Sequence, residues 1–494
     1  MADQLTASVL PFHGGPADAP TLEGLAAEGV VFDSAYCTYP LCAPSRASLL
    51  TGRLASEMTV YDSGAEFPAS FPTVAHYLRA RGYDTCLAGK MHFIGPDQLH
   101  GFEERLTTDV YTSGVDWTPD WSLPPSERLP WYHDMSSVFE AGPSEATLQL
   151  DYDEEVAFRS VRKIYDLGRD RERPFFLLVS FTHPHDPYEI PRRYWDRYEN
   201  RELPAPAVPA LPLDEHDPHS RRVLEMCGAD TAEIGPELIE RARRGYYGSV
   251  GYVDDKVAEL LAALDATGLR EDTIVVLASD HGDMLGERGL WYKMTFFEDS
   301  ARVPLVFHAP ERFGPGRVSA SVSLLDLLPT LMELAEGEGA FEPVEPLVGS
   351  SLVPLLGGRG AEHPPVFSEY HAEGTLAPMA MVREGSLKYV RCPTDPDLLF
   401  DLDADPLELE DLAADPAHAD DVARLRGLVE ERFDFERLAE DALASQRRRL
   451  FVAPALAIGA ESPWDYRPPD RSVGRYVRGA DFWQPFGKAR LRRD

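Results

Sequence analysis

The stretch Thr273-Ile274-Val275-Val276-Leu277-Ala278 is apolar at every position after the first, with none of the alternation of a half-exposed strand. A strand of that kind has to be covered on both faces, which commits the chain to a sheet buried between two layers. Pro174-Phe175-Phe176-Leu177-Leu178-Val179-Ser180 reads the same way. Helical patterns lie between the strands. Thr21 to Phe32 leads from a helix into a short strand, Thr73 to Arg81 is a helix ended by Gly82, and Tyr83 to Ala88 is a strand. Val156 to Tyr165 is helical, Tyr246 to Ala266 is a long amphipathic helix stopped at Gly268, and Leu305-Val306-Phe307 and Leu324 to Leu334 add a strand and a helix. This alternation, through about residue 330, predicts an α/β fold on a large mixed, mostly parallel sheet sandwiched by helices.

Each apolar strand runs into polar residues. Gly89-Lys90-Met91-His92, Thr182-His183-Pro184-His185-Asp186 and Ser279-Asp280-His281-Gly282-Asp283 all sit where open α/β sheets place ligands, past the ends of strands. A carboxylate beside an imidazole, Asp280-His281, makes a metal corner. Cys42-Ala43-Pro44-Ser45-Arg46 opens a helix. A lone cysteine usually packs as a small hydrophobe, but one at a helix N-terminus sits in positive potential.

The formal net charge of −35 excludes nucleic acid and anionic membrane as partners, since both would be repelled. The same acidity, with only 6 lysines against 42 arginines, suggests adaptation to high salt. Lys90 and Lys293, two of the few lysines, fall inside motifs, where a compact ammonium is not replaceable by a guanidinium. There is no run of apolar residues long enough to span a membrane. The 5 scattered cysteines give no disulfide framework, and a reducing cytoplasm is the expected compartment.

Residues 111–139 are loop-like and carry Trp117, Trp121, Trp131, Tyr132 and His133. Two readings stay open on the residues alone: a wall for a cationic substrate, or a small hydrophobic cluster under a long loop. Residues 201–235 are proline-rich and acidic, read as a surface excursion. Composition shifts near residues 360–366, which gives a catalytic domain over 1–365, a smaller C-terminal α+β subdomain over 366–450 with a small antiparallel sheet and a long acidic helix, and an extended aromatic tail over 451–494.

The pattern Cys42-x-Pro44-Ser45-Arg46-x4-Thr51-Gly52-Arg53 resembles the signature of type I sulfatases of the alkaline phosphatase superfamily. Ala2-Asp3-Gln4-Leu5-Thr6, Gly89-Lys90-Met91-His92-Phe93, Thr182-His183-Pro184-His185-Asp186-Pro187-Tyr188 and Asp280-His281-Gly282-Asp283 extend the likeness over essentially the whole chain, and within the family it is similar to the choline sulfatase subfamily. The resemblance implies hydrolysis of a sulfate monoester, choline sulfate, with Cys42 oxidised to formylglycine by a formylglycine-generating enzyme. It implies Asp3, Gln4, Cys42, Asp280 and His281 around a divalent cation, Ca²⁺ by the oxygen ligands or Mn²⁺ by the imidazole of His281, where sulfatases often carry Asn. Arg46, Lys90 and Lys293 would offset charge, His92 would be the base that releases sulfate, and His185, with Lys293 second, the acid for the leaving alcohol. Trp117, His133 and Glu369 would hold the choline head group, with Ser63 departing from an expected Asn. The tail would reach a neighbouring subunit in a homo-oligomer, a dimer or tetramer, and a first strand would lie upstream of Met1. A phosphonate monoester or phosphodiester hydrolase of the same superfamily, or a silent binding protein for a cationic osmolyte with Cys42 as a thiol, are the competing readings.

Overall fold

Two four-stranded sheets meet edge to edge where the chain begins. The computed structural model describes residues 1–124, 133–360, 363–459, 464–469 and 490–491. In the first sheet, β1 (Ala2–Asp3), β5 (Phe175–Pro184), β3 (Asp84–Gly89) and β4 (Glu104–Arg105) lie side by side, all parallel. In the second the order is β8 (Gly316–Ser323), β2 (Val30–Tyr36), β7 (Arg302–His308) and β6 (Val275–Ala278), with only β7 reversed. A parallel bridge between Ala2 and Ser279 joins the two. The sheet is mixed and mostly parallel, as its apolar strands require.

Helices cover both faces. On one side pack α1 (Pro20–Glu28), α4 (Leu148–Arg169) and α6 (Pro236–Thr267). On the other lie α2 (Cys42–Thr51), α3 (Val74–Ala80) and α7 (Leu327–Glu336). The N-terminus is inside the sheet: the Met1 ammonium donates to the Val179 carbonyl at 2.8 Å, and Phe181 N–H donates to the Met1 carbonyl at 3.0 Å.

Two elements differ from the sequence reading. Helix α6 starts ten residues earlier, at Pro236 in the first helical position, where a missing N–H costs nothing. Gly245 is what lets it pack, since a Cβ there would lie 2.2 Å from the Tyr188 carbonyl oxygen. The stretch 201–235 is also not all surface. It contains α5 (Pro218–Cys227), capped by Asp217, which accepts from the amides of His219 and Ser220 at 3.0 Å, and Val223, Leu224, Met226 and Cys227 are buried. Proline and acid at a helix start look like loop composition.

The C-terminal antiparallel sheet runs β9 (Val366–Tyr370), β10 (Met379–Glu384), β11 (Leu387–Arg391), β12 (Leu398–Asp401). It shares a core with α8 (Ala419–Arg432) and with Leu54 and Leu325 of the catalytic part. The expected long acidic helix is two, broken at Phe433-Asp434, with Asp434 capping α9 (Phe435–Leu456). Helix α9 runs straight through the expected boundary at 450. Beyond it, Trp464 packs against Ala43, Ile94 and Val115, and Asp465 accepts from the Ser113 hydroxyl at 2.9 Å. Tyr476, Phe482 and Trp483 of the tail, like Trp131 and Tyr132, lie outside the described residues. No helix among the described residues is long and apolar enough to cross a membrane.

Candidate active site

Strands β1, β2, β3, β5 and β6 all run the same way, so the residues just past their ends converge at one edge of the sheet. Cys42 sits there as the first residue of α2, fully buried. Its Sγ lies 3.1 Å from His281 Nε2, 3.6 Å from Lys90 Nζ and 3.8 Å from Asp3 Oδ1. Burial by itself pushes a thiol up, but Lys293, Lys90 and His281 bring Cys42 well below the usual thiol range. The other four cysteines are buried as well, and none is in a disulfide. For Cys37 and Cys227 burial pushes the thiol up, and this separates Cys42 from a packing cysteine.

The cations are all spoken for by the site itself. Lys90 pairs with Asp3 Oδ2 and lies 4.2 Å from the centre of the Tyr111 ring. Lys293 Nζ donates to Gln4 Oε1 at 2.6 Å and lies 2.8 Å from His185 Nε2, whose Nδ1 meets the Asp186 carbonyl at 2.7 Å. Arg46 is turned inward: Nε donates to Asp280 Oδ2 at 2.8 Å, and Nη1 to the Lys90 carbonyl at 2.6 Å and Ser180 Oγ at 2.9 Å. It fixes Asp280 and the Lys90 loop with every one of those bonds buried. His92 is buried with a left-handed backbone, φ 55°, held by Asp109, which accepts from its amide at 2.8 Å and from that of Met91 at 3.0 Å. Burial, and then Lys90, push its pKa down, so the ring is neutral and able to accept a proton. His183, by contrast, is tied at 2.7 Å to buried Asp153.

Asp3, Cys42, Asp280 and His281 each offer a ligand atom, all within 4.8 Å of one another. His281 Nδ1 donates to the Gly282 carbonyl at 3.0 Å and Nε2 faces the cluster; burial pushes its pKa down but Asp280 and the Cys42 sulfur raise it overall, so without a cation Nε2 carries a proton that cation binding would displace. Burial and the neighbouring Asp3 push Asp280 up despite Arg46. Two carboxylates, a thiolate and an imidazole nitrogen in one dry space fit a divalent cation. Gln4, the fifth expected ligand, has its amide oxygen on Lys293 and its amide nitrogen on Asp283 at 2.6 Å.

Of the expected head-group residues, Trp117 stands edge-on to His92 at 5.2 Å and beside Tyr111 at 5.1 Å, and His133 lies 6.3 Å from His185. Within the tryptophan-rich segment, one residue follows the hydrophobic-cluster reading. Trp121 is a core residue, packed with Tyr61 and Ala442 and donating to the Ala372 carbonyl at 2.8 Å. Ser63 is buried, and its hydroxyl has no partner among the described residues. Beside it, Asp62 accepts from Arg449 of α9 at 2.6 and 2.7 Å, and Arg449 also donates to Thr118 at 2.8 Å. The C-terminal subdomain thereby clamps two loops of the site. Glu369 differs from expectation: its oxygens are engaged within the fold, one accepting from the Ser56 amide at 2.9 Å and the other 2.8 Å from His371 Nε2. Glu373, which the sequence reading passed over, is buried, with Oε1 unpartnered among the described residues. Burial and then Asp62 push its carboxyl up to about 7, with Lys293 opposing and the Cys42 charge also acting on it. No spacing or composition signal marks it; only its place after β9 does.

The family profile described as Sulfatase matches residues 1–337. The chain belongs to the sulfatase family. This sulfatase, a sulfuric ester hydrolase, also matches the profile of the N-sulphoglucosamine sulphohydrolase C-terminal region over residues 286–433 and that of the choline sulfatase C terminus over 440–484. It is 48% identical to a choline-sulfatase of Rhizobium meliloti, over 97% of this chain and 94% of that one. Human iduronate 2-sulfatase is 30% identical over 78% of this chain and 71% of its own. Among solved structures, a phosphonate monoester hydrolase of Agrobacterium radiobacter superposes with a TM-score of 0.70 at 24% identity, covering 87% of this chain and 94% of that one, a likeness of fold.

Proposed function

We propose that this sulfatase hydrolyses choline sulfate to choline and sulfate. The observation that carries the reading is Cys42 at a helix N-terminus, its sulfur ringed by Lys90, His281 and Asp3, with Trp117 against the ring of His92 and the buried carboxyl of Glu373 within reach of the Cys42 charge. A formylglycine made from Cys42 supplies, as its hydrate, one hydroxyl to attack sulfur and a second whose deprotonation releases sulfate. Asp3, Asp280, His281 and the Cys42-derived group, with Gln4 as the fifth expected ligand, would hold a divalent cation, which would supply Lewis acidity. Oxygen donors favour Ca²⁺, and His281 admits Mn²⁺.

The remaining work falls to the chain's own groups. Lys90 and Lys293 offset charge on the sulfuryl oxygens, with Arg46 holding Asp280 and the Lys90 loop in place. His185, held at Nδ1 by the Asp186 carbonyl, takes at Nε2 the proton that Lys293 donates and passes it to the departing choline oxygen. His92 takes the proton whose loss frees sulfate. Trp117 and His133 face the trimethylammonium group with Ser63 beside them, and Glu373 takes the carboxylate role expected of Glu369. Exposed Phe451, Leu456 and Ile458 at and just past the end of α9 suit a homo-oligomer, dimer or tetramer, and five buried cysteines without a disulfide suit the cytoplasm. The test is kcat/KM on choline sulfate against a phosphonate monoester with the same alcohol. Preference for the sulfate ester by a hundredfold or more supports the reading, and the reverse preference overturns it.

A further inference from the structure

Asp283 lies just past β6, fully buried, and each of its two oxygens has a separate task. Oδ1 accepts from the amides of Leu285 at 2.9 Å and Tyr292 at 3.1 Å, which closes the loop that delivers Lys293. A turn asks no more than that of an aspartate. Oδ2 accepts from two other parts of the chain, the Gln4 amide nitrogen Nε2 at 2.6 Å and the Tyr188 hydroxyl at 2.9 Å. Four donors thus occupy the lone-pair directions of one carboxylate.

The backbone of Gln4 is held at both ends. It is left-handed, φ 62°, its N–H donates to Asp280 Oδ1 at 3.1 Å, and its carbonyl accepts from the Tyr246 hydroxyl at 2.5 Å. What the backbone does not decide is which way the side-chain amide is turned, since its oxygen and nitrogen have nearly the same shape. Asp283 at 2.6 Å and Asp186 at 3.3 Å both present carboxylate oxygens to one end of that amide, and only its NH2 group can meet them. The oxygen is thereby turned the other way, where it accepts from Lys293 Nζ at 2.6 Å, the ammonium whose charge acts on the Cys42 sulfur.

We propose that Asp283 is the positioning residue that sets the Gln4 amide, so that its oxygen and not its nitrogen is offered to the cation. The proposal rests on the reading that Gln4 takes part in holding a divalent cation. Asp283→Asn leaves one oxygen at this position, and the Leu285 and Tyr292 amides claim it. The new NH2 group then faces Gln4 Nε2, donor against donor. The Tyr188 hydroxyl can reverse from donor to acceptor, but an amide NH2 cannot. Gln4 has to turn over, which brings its own NH2 against the Lys293 ammonium and withdraws the oxygen. Gln4→Glu in the same chain undoes this, because a carboxylate has an oxygen at each end, one for the new NH2 group and one for Lys293 and the cation.

The test is cation affinity, measured by calorimetric titration of Ca²⁺ into the full-length chain after metal is stripped, with Mn²⁺ as a second probe and thermal unfolding as the check on folding. Asp283→Asn should weaken binding by about 10- to 100-fold, the usual cost of losing a group that orients a metal ligand. Gln4→Glu should weaken it in the parent, where two carboxylate oxygens would meet at a 2.6 Å spacing, and strengthen it in the Asp283→Asn background to within about threefold of the parent. An aspartate that serves only the turn predicts the same direction of change in both backgrounds. Asp283→Asn binding within about threefold of the parent, a Gln4→Glu effect of the same sign in both backgrounds, or failure of both the single and the double variant to fold overturns the proposal. If Asp283→Asn alone does not fold, a folded double variant with parental affinity supports it. These outcomes leave the cation reading in place; that reading fails, and the proposal with it, only if the parent chain binds neither cation.

Discussion

Glu373→Gln removes a single charge from the pocket while keeping the shape and polarity of the side chain. A carboxylate about 5 Å from a fixed cation, through an effective dielectric of about 20, contributes about 3 kcal/mol. Part of that offsets the dehydration of both charges, and a loss of about 100-fold in kcat/KM on choline sulfate is expected. An uncharged aryl sulfate should change by less than about threefold. The pH profile gives a second readout. Because burial holds the Glu373 carboxyl up at about 7, the side chain is protonated below that pH, and choline sulfate turnover falls as the pH drops through 7. In the variant that limb is absent.

Stability moves the opposite way. A carboxyl whose folded pKa exceeds its unfolded value of about 4.5 destabilises the fold once both forms ionise, and the penalty grows from pH 4.5 to 7. Glu373→Gln should therefore raise Tm at pH 8 and leave it nearly unchanged at pH 4. Choline sulfate hydrolysis within about threefold of the parent, with the acid limb intact, would refute the assignment.

Three further substitutions probe other parts of the site. Cys42→Ala should abolish turnover while shifting Tm by less than about 2 °C, since the lost group is small and its neighbours are polar; global unfolding would mark Cys42 as a packing residue. Arg449→Met strands the Asp62 charge in a buried place and should cost about 3–5 kcal/mol in denaturant unfolding, with a raised KM for choline sulfate as the Ser63 loop loosens. Chelation should stop turnover, and His281→Asn should shift the cation that best restores it toward Ca²⁺, measured by titrating Ca²⁺ and Mn²⁺ into the stripped protein.

The strands and most of the site residues were legible because they obey local rules. Apolar runs such as 273–278 have one stable place in a fold, and the polar residues that follow them are carried to the same edge by the parallel direction of the strands. The scarcity of lysine was a partial guide. It picked out Lys90 and Lys293, but equally Lys388, which is fully buried in an ion pair with Glu298 that has no contact with the site. What stayed hidden depends on tertiary partners. Helix α5 is acidic and proline-led at its start and buried only on one face. Arg46 carries the motif's expected charge, yet the structure directs it to Asp280. Glu369 and Glu373 are separated by three residues with no local difference, and only the Ser56 amide and His371 occupy the first of them. The clamp of Arg449 on Asp62 spans most of the chain and leaves no trace in either neighbourhood.

The claim on which the rest depends is that Cys42 is a precursor and not the working group. The mass of the peptide containing Cys42, from protein that hydrolyses choline sulfate, tests it most directly. The account predicts an aldehyde or its hydrate at residue 42. Fully active protein whose residue 42 is an unmodified cysteine would contradict it.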